Sequence, residues 1–293
     1  KCIKTDKNVH DFNGDSMSFR TDLAIELNSK KSLEENTEKI GEIALTEIRV
    51  ENDRQSAEIN RPKGTYITVQ LPEILKMTDS KNLEKAIKKA LSVLLPKPLE
   101  KILVVGLGNT EITPDSIGPL TATQLLATRH IWGEYAENLG LHGLKSVSVI
   151  SPNVLGKTGI EAAELVKSVT DSIKPQAVIA IDALAAGSTS RLFRTVQLCN
   201  SGISPGSGVK NSRKELSQNT LGVPVIALGV PTVVDTGIIA EERGGIKNES
   251  TTEMVVTAKD VDILCRKLSE ILARCLNIFL QPEIDPEIIL SLV

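Results

Sequence analysis

The sequence is short of the residues that several binding chemistries need. Aromatic side chains make up 2% of its 293 positions, so stacking platforms for single-stranded nucleic acid are not expected. The three histidines, His10, His130 and His142, stand far apart, which argues against a histidine-rich zinc site. The cysteines Cys2, Cys199, Cys265 and Cys275 show no CxxC spacing and read as reduced thiols of a cytosolic protein. Neither sign of charge dominates. With 34 Lys+Arg against 37 Asp+Glu the formal net charge is -3, which speaks against broad electrostatic binding to nucleic acid. No apolar run reaches the roughly 20 residues of a membrane helix. The run 223–234 is cut by Pro224, Gly229 and Pro231. The first 20 residues are polar and read as no signal peptide.

What is present is enough for a large core, since a chain of this length buries about three quarters of its unfolded surface. Residues 1–41 are polar and aperiodic and read as an exposed arm. Segments 44–50 and 65–71 read as strands, and 82–95 as a helix stopped by Pro96. From residue 101 the pattern changes. The runs 101–107, 146–150, 177–181 and 224–230 are short and apolar, as expected of strands covered on both faces. Helical periodicity occupies 120–132, 159–173 and 260–279, and 195–198 alternates as an edge strand would. Strands alternating with helices predict an α/β fold: a mostly parallel, doubly wound sheet with helices on both faces, plus the arm and extra strands. The Gly/Ser/Lys/Arg-rich stretch 202–222 is long for a connection and is a candidate functional loop.

In such a sheet ligands sit in the crevice at the carboxyl ends of the strands. That rule selects Gly106-Leu107-Gly108-Asn109, running on through Asp115 into a helix with Pro119 as its first residue, and Asp182 at the end of the run 177–181. Either Asp alone also suits a turn or cap. Two at neighbouring strand ends say more. Carboxylates brought close cannot both ionise cheaply, and such a pair can divide base and acid work on water and a carbonyl. The same pair could hold a divalent metal, which would want further ligands, and no His lies in either motif. Glu111 occupies the third glycine position of a dinucleotide fingerprint, and 206–210 lacks the GK[ST] ending of a phosphate loop. No GxSxG occurs, and no His is placed to activate a Ser or Cys. His130 reads as structural and Trp132 as a core residue.

The motifs VVGLGNTEITPDSIGP (104–119), Thr128-Arg129-His130, AIDALAA (180–186), ISPGSGV (203–209), RKELS (213–217) and GVPVIALGVPTVVD (222–235) together resemble the spore germination protease family. These are endopeptidases of spore-forming bacteria that degrade small acid-soluble spore proteins. More distantly, the strand-turn and the later Asp are similar to hydrogenase maturation endopeptidases, which share a doubly wound, phosphorylase/hydrolase-like sheet and bind a metal with acidic residues and a His. The germination protease resemblance implies a homotetrameric zymogen of the forespore or spore core that cuts itself near its N-terminus. No cofactor, resident metal, direct nucleic-acid partner or membrane is expected.

The family's processing segment matches Arg20-Thr21-Asp22-Leu23-Ala24-Ile25-Glu26. That match places the cut between Asp22 and Leu23 and makes 1–22 a propeptide arm and 23–293 the peptidase domain. A second stretch, 42–47, has the same character but would be protected inside a strand. The essential aspartates carry over onto Asp115 and Asp182, with the amides at Gly106 and Gly108, and Asn109 beside them, lining the site. Gly187 stands where the family pattern leads to Arg, and Cys199-Asn200-Ser201-Gly202-Ile203 lacks the family's acidic group. Two rivals use the same sheet: a metallopeptidase on the same carboxylates, and an inactive binding scaffold.

Overall fold

The computed structural model describes residues 21–28, 32–77, 79–95, 99–138, 140–206, 213–244 and 254–291. Nine strands form among them: β1 (Glu35–Ile40), β2 (Ile43–Val50), β3 (Gly64–Gln70), β4 (Lys101–Gly106), β5 (Ser146–Ile150), β6 (Ala177–Ala186), β7 (Thr195–Cys199), β8 (Val225–Asp235) and β9 (Val255–Val256). The helices are α1 (Ala24–Leu27), α2 (Asp53–Ile59), α3 (Lys81–Leu94), α4 (Ile117–Ala122), α5 (Glu134–Asn138), α6 (Leu155–Thr158), α7 (Ala162–Ile173), α8 (Gln218–Leu221), α9 (Thr236–Glu242), α10 (Val261–Leu280) and α11 (Pro286–Ser291).

All nine strands join one sheet, in the order β1-β2-β3-β7-β8-β6-β4-β5, with β9 added beside β8. Pairs β4·β5, β4·β6 and β6·β8 are parallel, and the N-terminal strands extend the sheet through antiparallel pairs. The α/β class is as the sequence predicts, and the extra strands make the sheet mixed. Alternate residues of the central strands serve two cores. Ile102, Val104, Ile179 and Ile181 pack under Leu91 of α3 and Leu268, Leu272 and Leu276 of α10. Leu103, Val105, Val178 and Ala180 face Val166 of α7 and Leu221 of α8. Both faces are thus apolar, which is why these strands read as unbroken hydrophobic runs.

From β4 the chain goes to β5 on one side and then returns to β6 on the other. The crevice between the carboxyl ends of β4 and β6 is therefore the topological switch point, where the rule for open sheets places a ligand.

Several sequence expectations are corrected. Residues 1–20 lie outside the described residues, but Leu23 and Ala24 are fully buried and 35–40 form β1, so the segment after Thr21 is not a free arm. Leu120 belongs to the short α4, which begins at Ile117, so Pro119 is its third residue. The chain then leaves the helix, because Thr128 is tied to β5 through its N–H on the Val147 carbonyl (2.9 Å). The segment 195–198 is not at an edge, since β7 lies between β3 and β8. Strand β6 does not stop at Ile181 but runs to Ala186 alongside β8. His130 is exposed, and Trp132, 37% exposed, lies 5.1 Å from the Lys101 ammonium instead of in the core.

Candidate active site

Strand β4 ends at Gly106, and the Leu107 N–H extends its ladder by one bond to the Ile181 carbonyl (2.8 Å). The chain then turns at Gly108, whose φ of +117° is a conformation L side chains rarely adopt. A Cβ there would lie 2.0 Å from the Asp115 carbonyl oxygen. The turn closes on itself through Asn109 N–H to the Asp115 carbonyl (3.1 Å) and Asp115 N–H to the Ile112 carbonyl (2.8 Å). Helix α4 then seats Gly118 directly on the strand ends, where a Cβ would lie 2.2 Å from the Leu107 oxygen and 2.5 Å from that of Ile181. The result is a short rigid loop that holds Asp115 where β4 would have continued.

Asp182 follows Ile181 on the neighbouring strand. Asp115 and Asp182, 67 residues apart in sequence, line one cavity of about 300 Å³ together with Gly108, Asp22 and Arg213. Of the other expected lining residues, Gly106 lies beneath Gly118 and Ala122. Asn109 is buried with its side-chain oxygen on the Glu111 N–H (3.0 Å), inside the turn. Neither is among the residues lining this cavity. The candidate loop contributes Pro205, Gly206 and Arg213, whereas 207–212 lie outside the described residues.

The two carboxyls differ in environment. Asp182 is 4% exposed, and burial lifts its pKa well above the usual carboxylate range. The negative charges of Asp115 and then Asp22 push it further, against one hydrogen bond from the Ala183 N–H. Asp115 is pushed up to about 6, again mainly by burial, with the Asn109 N–H and the Arg213 guanidinium opposing. Burial thus disfavours the charged form of both carboxyls, with Asp115 and Asp22 adding to the effect at Asp182, so the two sit in one hollow with raised proton affinities. Among the described residues no group of three or more His, Cys, Asp or Glu side chains is gathered at metal-binding spacing.

The segment Thr21–Ala24 reaches the same hollow through Asp22, which lines it. The Asp22 N–H donates to the Ala185 carbonyl (2.9 Å). Its carboxylate accepts from the Ala185 N–H (2.9 Å) and stands 3.6 Å from Arg61, which also donates to the Thr21 carbonyl. Leu23 is fully buried against Leu184 and Ala186, which contributes about 2 kcal/mol of apolar burial to holding the segment. Gln197, on β7, bridges the Asp22–Leu23 peptide: its Nε2 donates to the Asp22 carbonyl (2.8 Å) and its Oε1 accepts from the Ala24 N–H (2.6 Å). Sequence reasoning missed Gln197. The available signal is a lone carboxamide in the otherwise apolar run Val196-Gln197-Leu198, where an unpaired amide would be costly to bury.

The departures fall into two places. Gly187 donates its N–H to Glu26 (2.6 Å), beside the docked segment. Asn200 accepts from the Thr65 N–H (2.8 Å) at the start of β3 and does not line the cavity, so the acidic group missing there is not one the two aspartates would meet. The second cut-like stretch lies in β2, hydrogen-bonded between β1 and β3.

Comparison with known proteins bears on the whole chain. The family model described as "Germination protease" matches residues 16–244. A germination protease of Clostridium tetani is 40% identical, over 92% of this chain and 98% of its own. One from Clostridium acetobutylicum is 37% identical, over 92% of this chain and 97% of its own. Among solved structures, a NiFe hydrogenase maturation protease from Thermococcus kodakarensis covers 65% of this chain and 98% of its own at 15% identity and a TM-score of 0.37, a likeness that extends to neither residues nor chemistry. Matches of that identity and span to proteins of one description leave no ambiguity of kinship: this chain belongs to the germination protease family.

Proposed function

We propose that this chain, a protease of the germination protease family, is an endopeptidase zymogen that cuts its own Asp22–Leu23 bond and then cleaves small acid-soluble spore proteins during germination. In this reading Asp115 and Asp182 are the catalytic pair. Ionised Asp115 takes a proton from water, and the water oxygen bonds to the scissile carbonyl carbon. Asp182 gives its proton to the departing nitrogen as the C–N bond breaks. A new carboxyl end and a new amine result, and transfer of the proton from Asp115 to Asp182 resets the pair. Spore proteins as substrates and assembly as a homotetramer in the spore core rest on the family resemblance.

The observation that carries the reading is the shared cavity: two buried carboxyls whose proton affinities are both raised, with Asp22 of the expected cut site on its wall. A binding scaffold would have no need of two buried carboxyls that meet in one cavity. Incubating the purified chain and sequencing its new N-terminus tests the proposal. Leu23 is the expected first residue, and Asp115→Asn or Asp182→Asn should abolish its appearance, a loss of at least about a thousandfold, with the fold intact by circular dichroism. Cleavage at the native rate in either variant would exclude the aspartate pair.

A further inference from the structure

Gln197, Gly229 and Asp182 stand in one row across three neighbouring strands. On the β7·β8 pair Gln197 is the register partner of Gly229, and on the β8·β6 pair Gly229 is the partner of Asp182. Row partners project to the same face of a sheet. The carboxyl and the carboxamide thus rise from one face about 10 Å apart at their Cα atoms, two strand spacings, on either side of a residue with no side chain. Leu184 leans over Gly229, where a Cβ would lie 2.4 Å from it, and Leu23 packs on Leu184. This row is the floor of the groove in which the Asp22–Leu23 peptide lies.

The orientation of the Gln197 amide is fixed by chemistry. The Asp22 carbonyl can only accept, so the nitrogen must face it, and the Ala24 N–H can only donate, so the oxygen must face that. Both bonds are made in a residue 7% exposed, within a strand anchored on both sides. A donor held there by the sheet meets the requirement for stabilising charge that develops on a carbonyl oxygen: it is in place beforehand and shielded from water.

We propose that Gln197 is a catalytic residue of this protease: its Nε2–H holds the carbonyl oxygen of the scissile bond and stabilises the oxyanion formed there, while its Oε1 fixes the substrate strand one residue beyond the leaving nitrogen. The inference rests on the reading that Asp22–Leu23 is a scissile bond of this site. For substrates in trans it implies that the residue before the cut and the second residue after it are gripped through their backbone by one carboxamide, which is blind to side chains.

The test uses the full chain and its rate of producing the Leu23 terminus, beside cleavage of a peptide of residues 20–27 by the processed enzyme. Gln197→Met keeps the volume and loses both bonds; Gln197→Asn keeps the amide but shortens its reach, and serves should the first variant fold poorly. Each should lower the self-cleavage rate constant about 10²–10³-fold. On the peptide the loss should fall in kcat more than in KM, and the pH at which activity rises should not move, because Asp115 is untouched. Either variant, folded, cleaving within threefold of the native rate would overturn the role (about 0.6 kcal/mol, by RT ln 3). A native chain that never yields Leu23 would overturn it too. The aspartate reading is scored separately by Asp182→Asn on the peptide, so Gln197 can fail while the pair stands, and the reverse.

Discussion

At the scale of single residues the sign of the pH dependence follows from two carboxyls held above their ordinary range. In the proposed mechanism Asp115 is the base and must be ionised, so cleavage should rise as pH passes about 6. As an acid, Asp182 must keep its proton, so cleavage should fall at the higher pH where that proton is lost. Stability moves the other way. The native state holds a proton on Asp115 that the unfolded chain releases near its ordinary value of 3.8. The stability this group contributes is therefore complete below that value and is lost as pH rises from 3.8 to about 6. Asp115→Asn removes the loss. Urea unfolding of the variant and the native chain, compared at about pH 4 and about pH 7, should show the variant gaining relative stability at the higher pH. An unchanged difference would mean that Asp115 titrates as an ordinary surface carboxyl. Both aspartates were legible in the sequence because each ends or interrupts a motif that is otherwise apolar or glycine-rich. Gln197 was not, since what marks it is a pairing with residues 22 and 24, more than 170 positions away.

Among elements, the legible ones are those whose pattern is dictated by burial. Strands β4 and β6 and helices α3 and α10 are apolar on every face or stripe that meets the core, and their positions follow from periodicity alone. Strand β1, Glu35-Asn36-Thr37-Glu38-Lys39-Ile40, is exposed along nearly its whole length and pairs only with β2, so it carries no alternation to read. Strand β7 looked like an edge because Thr195 and Gln197 alternate with apolar residues, yet β3 and β8 flank it. The far end of β6 was missed because Asp182 resembles a strand stop, while backbone pairing with β8 continues past it to Ala186. Helix α4 is the element on which the site's geometry turns, and it depends on one close approach. Gly118→Ala places a methyl 2.2 Å and 2.5 Å from two carbonyl oxygens of the strands it covers. Either the helix lifts or the strand ends spread, and overpacking of this kind costs about 1–3 kcal/mol. Thermal unfolding should show the midpoint falling by several degrees, and self-cleavage should slow in molecules that remain folded, because the loop carrying Asp115 is braced by that contact. A variant with native stability and rate would show that the strand ends tolerate the methyl.

At the scale of the whole molecule, the site sits on the seam between the two halves of the sheet. Asp115 and Asp182 come from the parallel half and Gln197 from β7 of the antiparallel half, with β8 between them. The segment that lies across this seam belongs to the same chain and is held there by a buried Leu23 and by hydrogen bonds to Ala185 and Gln197. A peptide held in place by its own chain reaches the reacting groups without a bimolecular encounter, so its cleavage should be first order. The rate constant for appearance of the Leu23 terminus should be unchanged over about a hundredfold dilution, whereas cleavage between molecules would slow in proportion. Mixing separates the two more sharply. A tagged Asp182→Asn chain, incubated with native chain, carries an intact cut segment docked in a groove that cannot cleave it, and its Leu23 side chain is buried from any second molecule. It should remain whole while the native chain is processed. If the tagged chain is cut as fast as the native one, the segment must leave its groove and enter another molecule's, and the docked arrangement would be a resting state that has to open before any bond is broken.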